Sequence, residues 1–299
     1  MFKRIPATEL RSVSRVIAVD VDSEDVVVLR NLPKIKKTKI STAKQVEYAA
    51  DEVVRNAILE IQLQNIDPLA DVTVDDEKKK ENIGDSLTGH FFPSIELATD
   101  RVLVTGPSGS GKTTFSAEMI LHYINLYPER KVFIISSLHE DDTLTLLEDS
   151  YPESFIRFDL NEMFNDSQNE IDPESLADSL VFFDDVDTLM DAHIRQAVLV
   201  FRDFLLEQHR HFGIYLLVTT HLMTNFRETR RLLNEARKVV VFPGSGADFH
   251  ILNFLTKFVG MGMRTAKNIV NKIDNESRWT LVSKTSPLYM ITENKIASI

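Results

Sequence analysis

Residues 101–120, RVLVTGPSGSGKTTFSAEMI, are the most informative segment of the sequence. It begins with an apolar strand pattern, continues through a glycine-rich turn and ends in residues that favour a helix. Four residues match the spacing G-x-x-x-x-G-K-[ST]: Gly106, Gly111, Lys112 and Thr113. With that spacing, the backbone N–H groups of the turn and the N-terminus of the helix surround the phosphates of a nucleotide. A glycine-rich turn without a ligand is the alternative, but it would need neither the lysine nor the hydroxyl.

The same turn predicts the contacts of a bound nucleoside triphosphate. We expect Lys112 to reach the β- and γ-phosphates and the Thr113 hydroxyl to coordinate Mg²⁺. A triphosphate and Mg²⁺ are therefore the expected cofactors. The residues expected to contact the nucleotide, here called the P-loop, are Gly106, Pro107, Ser108, Gly109, Ser110, Gly111, Lys112, Thr113 and Thr114.

Acidic residues end a second apolar strand, SLVFFDDVD at residues 179–187. A P-loop requires an acid on the side of the metal, so we expect Asp184 to hold the Mg²⁺ shell. Asp185 is then placed to orient or deprotonate the attacking water. The alternative is that these aspartates cap the following helix, a role that suits Asp187. Two acids at the end of a buried strand are costly without a nearby cation, which favours the metal site.

A third apolar strand, GIYLLVTTH at residues 213–221, ends in Thr219, Thr220 and His221. In a P-loop sheet this strand end would lie beside the γ-phosphate, which predicts a polar sensor there. The pattern does not separate Thr220 from His221. The alternative is that the two threonines merely suit the end of a strand.

Arg210 precedes that strand in RDFLLEQHRHFG, residues 202–213, which ends a long predicted helix. One interpretation is an arginine finger that projects to the γ-phosphate of a neighbouring subunit. The other is a local role, because cations in the last turn of a helix are favoured by its macrodipole. The sequence leaves both interpretations open.

The alternation of apolar strands and helical stretches from residue 89 onward predicts an α/β fold with a mostly parallel sheet. Two helices are predicted at residues 248–260 and 264–274, followed by a β-hairpin around Ser286 and Pro287. The expected strands of the sheet are residues 101–106, 131–138, 179–185, 213–220 and 237–243.

The chain of 299 residues is long enough for one large domain with an N-terminal addition. We expect a small N-terminal α+β extension at residues 1–70, with strands within 14–32 and a helix at 43–65. A charge-dense linker is predicted at 71–88, and a P-loop ATPase motor domain at 89–299.

The composition excludes several classes of protein. The chain has no cysteine, which removes disulfides, zinc–thiolate sites and thiol nucleophiles. No apolar run approaches the roughly 18 residues that span a bilayer, and the first residues lack the apolar core of a signal peptide. We therefore expect a soluble, intracellular protein with no membrane span.

The net charge of −11 argues against a nucleic-acid footprint over the whole protein, but the charge is distributed unevenly. Residues 222–299 carry 12 Lys and Arg against 6 Asp and Glu, a balance of +6. A basic segment of this kind either faces a polyanion or is a solubilising surface. Its candidate contacts with phosphates, or equally with another subunit, are Arg227, Arg230, Arg231, Arg237 and Lys238.

Two other classes of P-loop protein are weighed against an ATPase. VNKID, residues 270–274, spells the N-K-x-D that recognises guanine, but it lies inside a predicted helix. No switch glycine follows the acids of residues 184–187. A small-molecule kinase usually has basic lid segments around a compact sheet, whereas an acid pair on a separate strand favours hydrolysis of ATP.

Four segments in this order resemble the genome-packaging ATPases of large DNA viruses, virophages and polinton-like elements, within the FtsK/HerA superfamily. They are LVTGPSGSGKTT (103–114), LVFFDDVD (180–187), RHFGIYLLVTTH (210–221) and TRRLLNEARKVVVFP (229–243). The resemblance covers about residues 95–299 and leaves the N-terminal region unassigned.

The resemblance implies a RecA-like ATPase and assigns roles by position. Lys112 and Thr113 would bind nucleotide and Mg²⁺, Asp184 the metal, Asp185 the water, and Arg210 would be the finger. The family commonly has Gln where this chain has His221, which leaves the sensor open between Thr220 and His221.

The resemblance also implies the partners and the place of action. We expect an ATP-driven translocase of double-stranded DNA, acting as a homo-oligomeric ring, a pentamer or hexamer, against capsid or portal-vertex proteins. It would work at sites of virion assembly, in a cytoplasmic factory or the nucleus, or stay associated with the virion. The alternatives are a P-loop kinase or GTPase with a small acceptor and a non-catalytic capsid-associated protein.

Overall fold

The computed structural model describes residues 2–5, 15–23, 25–29, 86–137, 141–160, 171–221, 229–243, 248–273, 277–285 and 287–299. The helices are α1 (Lys112–Leu126), α2 (Asp142–Ser150), α3 (Ala192–Gln208), α4 (Thr229–Glu235), α5 (Asp248–Lys257) and α6 (Met263–Ile273). None of the helices in these ranges is both long and apolar enough to cross a membrane.

The strands found within these ranges form one sheet of ten and one sheet of four. Those of the N-terminal part are β1 (Phe2–Ile5), β2 (Arg15–Asp20), β3 (Val26–Leu29), β4 (Ser86–Thr88) and β5 (Phe91–Pro93). The following strands are β6 (Arg101–Thr105), β7 (Val132–Ser136), β8 (Phe155–Arg157), β9 (Leu180–Asp184), β10 (Tyr215–Thr220) and β11 (Lys238–Val241). The last strands are β12 (Thr280–Ser283), β13 (Tyr289–Thr292) and β14 (Lys295–Ser298).

The parallel half of the large sheet has the order β11-β6-β10-β9-β7-β8. Strand β10 therefore lies between β6, which leads into the P-loop, and β9, which ends in the acids. Because the strands are parallel, their carboxyl ends meet at one edge of the sheet, where the P-loop, the acids and the end of β10 come together. The fold is an α/β, RecA-like P-loop fold, as predicted.

Side-chain alternation along the strands builds a core on each face of the large sheet. In β6, Leu103 belongs to one core cluster, whereas Val102 and Val104 belong to the other. Helix α1 contributes Met119 to the second cluster, and α3 contributes Val198 to the first. Helices on both faces bury the parallel strands almost completely, which explains their continuous apolar sequences.

The C-terminal elements extend the sheet with antiparallel strands. The predicted helices at 248–260 and 264–274 and the predicted hairpin are confirmed as α5, α6 and the pair β12–β13. Strand β12 pairs with β11, and β14 and β4 continue the sheet beyond β13. Residues 86–88, the end of the predicted linker, are therefore part of the large sheet.

The N-terminal strands form a four-stranded sheet in the order β1-β3-β2-β5. Ile17 and Val27 are fully buried and belong to the same core cluster as Phe115 of α1. The predicted strands within 14–32 are thus present, and they pack on the side of the large sheet that carries α1. The predicted helix at 43–65 lies outside the described residues, and the predicted domain boundaries stay a prediction.

Candidate active site

The P-loop connects β6 to α1 in the way that the sequence predicts. Gly109 has a φ of 74° and Gly111 a φ of 106°. In this left-handed region glycine is favoured because it has no Cβ. Gly111 is the N-cap residue, and α1 begins at Lys112, so the unbonded N–H groups of its first turn open toward the loop. The loop therefore presents the backbone geometry of a phosphate site.

Asp184 is held in a polar pocket at the carboxyl end of β9. Its side chain is buried; Oδ2 accepts a hydrogen bond from Ser136 Oγ at 2.9 Å, and Oδ1 accepts one from Thr219 Oγ1 at 3.0 Å. Burial, and then the neighbouring carboxylate of Asp185, raise the pKa of Asp184 above its usual range. A nearby cation would offset both effects and favour the ionised form.

Asp185 adopts a strained backbone conformation, with a φ of 45° and a ψ of 35°. Non-glycine residues rarely adopt this region, and such strain often accompanies a functional site. Its Oδ2 lies 2.9 Å from His221 Nε2 and 3.5 Å from Lys112 Nζ. Its Oδ1 is buried and has no hydrogen-bond partner among the described residues. One oxygen of the predicted water-activating acid is therefore held, and the other is unpaired.

Thr219 connects the two acids. Its hydroxyl donates to Asp184 Oδ1 at 3.0 Å and accepts from the backbone N–H of Asp185 at 2.8 Å. The side chain is fully buried at the end of β10, between the strands that carry the acids and the P-loop. Thr219 therefore positions both acids.

The other two sensor candidates occupy different surroundings. Thr220 Oγ1 donates to Thr105 Oγ1 at 3.3 Å, within the P-loop strand. His221 lies one residue beyond β10, and its ring contacts the Asp185 carboxylate. The choice of sensor stays a prediction, and this contact favours His221 because it reaches the acid that would handle the water.

Lys112 is buried and points at the acids. Its ammonium lies 3.5 Å from Asp185 Oδ2 and donates to the carbonyl oxygen of Pro107 at 3.4 Å. A lysine that is only 5% exposed requires an anionic partner. The Asp185 carboxylate supplies one here, and a nucleotide phosphate would supply another.

The donor set at this edge suits Mg²⁺. Thr113 offers a hydroxyl at the start of α1, and Asp184 offers a buried carboxylate with a raised pKa. No group of three or more His, Cys, Asp or Glu suited to a metal occurs within the described ranges. Mg²⁺ in nucleotide sites needs only one or two protein ligands, because phosphates and water complete its shell. The residues therefore fit a metal that arrives with a nucleotide.

Arg210 lies far from the P-loop of its own chain. It is exposed in the turn between α3 and β10, before the amino end of β10. The P-loop follows the carboxyl end of the neighbouring parallel strand β6, so about 20 Å of strand separates the two sites. Arg210 therefore does not reach the P-loop of its own chain. The finger and the local role at the helix end both stay open.

The prediction that Lys238 meets phosphates or another subunit is wrong, and Arg237, offered for the same contacts, pairs with an acid of its own chain. The Lys238 side chain is 1% exposed, with its ammonium 3.0 Å from Glu96 and 3.6 Å from Asp100. Arg237 also contacts Glu96, at 3.1 Å. These cations neutralise buried acids at the amino end of the sheet.

The remaining candidate contacts of the basic segment are Arg227, Arg230 and Arg231. Arg230 is exposed, and Arg231 lies 3.1 Å from Asp203 on α3. Arg227 lies outside the described residues.

Sequence reasoning did not identify Ser136 as a site residue. It ends β7, the strand next to β9, and its hydroxyl donates to Asp184. The signal was its position as a polar residue at the carboxyl end of a predicted strand. In a parallel sheet that end lies beside the acids.

The chain is similar to a virophage protein and to several solved ATPases. No protein-family model matches the chain. The uncharacterized protein V3 of Sputnik virophage is 36% identical over 209 residues, which cover 69% of this chain and 80% of that protein.

Two solved structures illustrate the structural similarity. The genome packaging NTPase B204 of Sulfolobus turreted icosahedral virus 2, in complex with AMP, has a TM-score of 0.42 and 12% identity over 66% of this chain and 98% of B204. The cytoplasmic domain of the type VII secretion ATPase EccC of Thermomonospora curvata has a TM-score of 0.44 and 12% identity over 78% of this chain and 30% of EccC.

The resemblance to virophage proteins is confirmed by the sequence identity with protein V3. The chain belongs to the family of protein V3 of Sputnik virophage.

Proposed function

We propose that this protein is an ATPase that translocates double-stranded DNA and packages a viral genome into its capsid. One observation carries the ATPase part. Asp184 and Asp185 end a strand that is separated from the P-loop strand by β10, and Thr219 of β10 bonds to both. An acid on a separate strand beside the P-loop can orient the attacking water, as hydrolysis requires.

The residues divide the work of hydrolysis. The N–H groups of the P-loop and Lys112 bind the β- and γ-phosphates, and Asp185 orients the water and accepts its proton. The water oxygen bonds to the γ-phosphorus as the bond to the β–γ bridging oxygen breaks, giving ADP and phosphate. Mg²⁺, held by Thr113 and Asp184, would neutralise charge on the phosphates. His221 and Thr219 keep Asp185 in place.

The structure does not favour the GTPase alternative, because its candidate guanine-recognition motif lies in a helix. Asn271 and Lys272 lie within helix α6, whose Val270 and Ile273 are buried against the core. A guanine-reading motif needs to present its polar side chains to the base at the nucleotide-binding edge. ATP is therefore the proposed nucleotide.

The translocation part rests on the sequence resemblance, on the virophage family and on the basic balance of residues 222–299. Because Lys238 is buried and Arg237 is paired with Glu96, the exposed cations of this segment are the candidates for duplex contacts. A ring of copies would place Arg210 of one subunit at the P-loop of the next.

The test is hydrolysis of ATP and GTP by the full chain, with and without linear duplex DNA, over a salt series. We expect ATP preference, stimulation by DNA and a steep loss of stimulation with salt, since each neutralised phosphate releases counterions. Asp185→Asn should lower turnover by about 100-fold or more. Asp149→Asn, an equal charge change on the exposed face of α2, is the control.

Each failure has a distinct meaning. Turnover indifferent to duplex DNA at low salt would overturn translocation and leave an ATPase. Equal turnover in wild type and Lys112→Ala would overturn the ATPase and leave a structural P-loop. Transfer of phosphate to a small acceptor would identify a kinase.

A further inference from the structure

The side chain of Arg278 lies flat against Gly111 of the P-loop. A Cβ on Gly111 would lie 3.1 Å from Nη2, 3.3 Å from Cζ and 3.3 Å from Nε of the Arg278 guanidinium. Three atoms of one planar group at nearly equal distances show that the plane covers this glycine. Arg278 lies between α6 and β12, more than 160 residues beyond the P-loop in the sequence.

The main chain on both sides of Arg278 is fixed. The Arg278 N–H donates to Glu293 Oε2 at 3.0 Å, and the neighbouring Ser277 hydroxyl contacts the same carboxylate oxygen at 3.3 Å. On the other side, Trp279 is buried, with its ring centroid 5.1 Å from that of Phe115 in α1. The backbone that carries Arg278 is therefore held against the start of α1.

The guanidinium itself is exposed and has no ion pair or hydrogen bond among the residues that the structure describes. It lies at the N-terminus of α1, where the helix macrodipole is positive. A cation at this end of a helix is repelled unless an anion lies beside it. An anion beside Gly111 would remove this repulsion and would lie within reach of the guanidinium.

We propose that Arg278 binds a phosphate group of the nucleotide held by the P-loop of its own subunit. A guanidinium donates two parallel hydrogen bonds to phosphate oxygens, which an ammonium cannot do. The inference rests on the proposed function, because the P-loop must hold a nucleotide. It adds a residue from the C-terminal strands to the phosphate site and couples those strands to the nucleotide.

The test measures binding of ATPγS and of inorganic pyrophosphate to the full chain carrying Arg278→Ala, Arg278→Lys or Lys267→Ala. Lys267 is exposed on α6 and is the control for loss of one positive charge. We expect Arg278→Ala to weaken both ligands by about tenfold to a hundredfold, the value of a hydrogen bond to a charged group. Arg278→Lys should restore part of the loss, and Lys267→Ala should bind as wild type does.

The midpoint of thermal unfolding separates binding from structure. Without nucleotide, Arg278→Ala should unfold at the wild-type temperature or slightly above, because a repelled cation is removed. A lower midpoint in the ligand-free protein would overturn the proposal in favour of a structural role. Weaker ATPγS binding with unchanged pyrophosphate binding would also overturn it, because the guanidinium would then contact the base or ribose.

The experiment distinguishes failure of this proposal from failure of the proposed function. If wild type binds ATPγS, Lys112→Ala does not, and Arg278→Ala binds as wild type, the P-loop site stands and only the role of Arg278 fails. If wild type binds neither ligand, the proposed function itself fails. A mixture of Arg278→Ala with Lys112→Ala should turn over ATP no faster than the two variants measured separately, because each subunit then lacks one residue of its own site. Recovery would contradict action within one subunit.

Discussion

His221 Nε2 lies 2.9 Å from Asp185 Oδ2, and this pairing joins the end of β10 to the acid that follows β9. Lys112 approaches the same oxygen at 3.5 Å from the P-loop side. A bound triphosphate would attract Lys112 toward its β- and γ-phosphates. His221 would then remain as the contact that orients Asp185 toward the water.

Substitution of His221 tests this positioning role. We expect His221→Ala to lower kcat by about tenfold or more, a part of the roughly 10²–10⁴-fold that a positioned base contributes. KM for ATP should change little, because His221 contacts the acid and not the P-loop. His221→Gln keeps a hydrogen-bond donor at this position and should retain most of the turnover. An equal loss in both variants would show that the imidazole has a role that a simple donor cannot fill.

Removal of the Thr219 hydroxyl should lower the free energy of unfolding. Thr219→Val keeps the shape of the side chain but leaves Asp184 Oδ1 and the Asp185 N–H without their partner, at a cost of about 1–3 kcal/mol. Urea denaturation measures the change in the free energy of unfolding. Thr280→Val is the matched control, since the Thr280 hydroxyl is buried and lacks a hydrogen-bond partner within the described residues. This control should be neutral or stabilising, and equal losses in both variants would contradict the bridging role.

Asp184 should lower stability at neutral pH in the absence of metal. Its pKa is raised in the folded state, so its ionisation opposes folding as the pH rises above about 4, the unfolded value. Below that pH the effect is absent. Asp184→Asn should therefore unfold at a higher temperature than wild type at pH 7, and the two proteins should converge toward pH 4.

The same variant should lose Mg²⁺-dependent hydrolysis by about 100-fold or more, because a metal ligand is gone. Asp149→Asn again controls for the change in charge. A midpoint for Asp184→Asn below that of wild type at pH 7 would show that the two hydroxyl donors stabilise the ionised carboxylate more than burial destabilises it.

The contrast between Asp184 and Arg278 shows what the sequence can and cannot predict. Asp184 follows a strand whose apolar run is visible, and parallel strands bring their carboxyl ends together, so its place beside the P-loop was predictable. Arg278 follows α6 and reaches Gly111 only because β12 pairs with β11. That pairing depends on the long-range order of the sheet, which no local pattern encodes.

Lys238 is a second residue whose surroundings could not be predicted from the local sequence. As part of a basic cluster in the sequence it suggested an exposed phosphate contact, but it begins a strand whose amino end is covered by residues 94–100. Charge counts do not reveal burial. Glu96 and Asp100, which neutralise it, lie about 140 residues earlier in the chain.

Lys238→Met therefore tests a buried ion pair. Loss of the ammonium leaves the buried carboxylates of Glu96 and Asp100 without one of the cations that contact them, so we expect a destabilisation of about 3–5 kcal/mol. Arg231→Ala, which breaks an exposed pair with Asp203, should cost about 1 kcal/mol or less. Urea denaturation measures both. A small loss in Lys238→Met together with weaker DNA binding would restore the interpretation that Lys238 contacts DNA.

Arg210 is tested by mixing two inactive variants. Because about 20 Å of strand separates Arg210 from the P-loop of its own chain, a role in hydrolysis requires a neighbouring subunit. Arg210→Ala and Lys112→Ala should each lose most of their turnover alone. In a mixed ring, an Arg210→Ala subunit keeps its own P-loop and receives Arg210 from a Lys112→Ala neighbour, so that site is complete. Turnover should therefore rise above that of either variant, whereas no rise in a mixed assembly verified by mass would assign Arg210 to the end of α3.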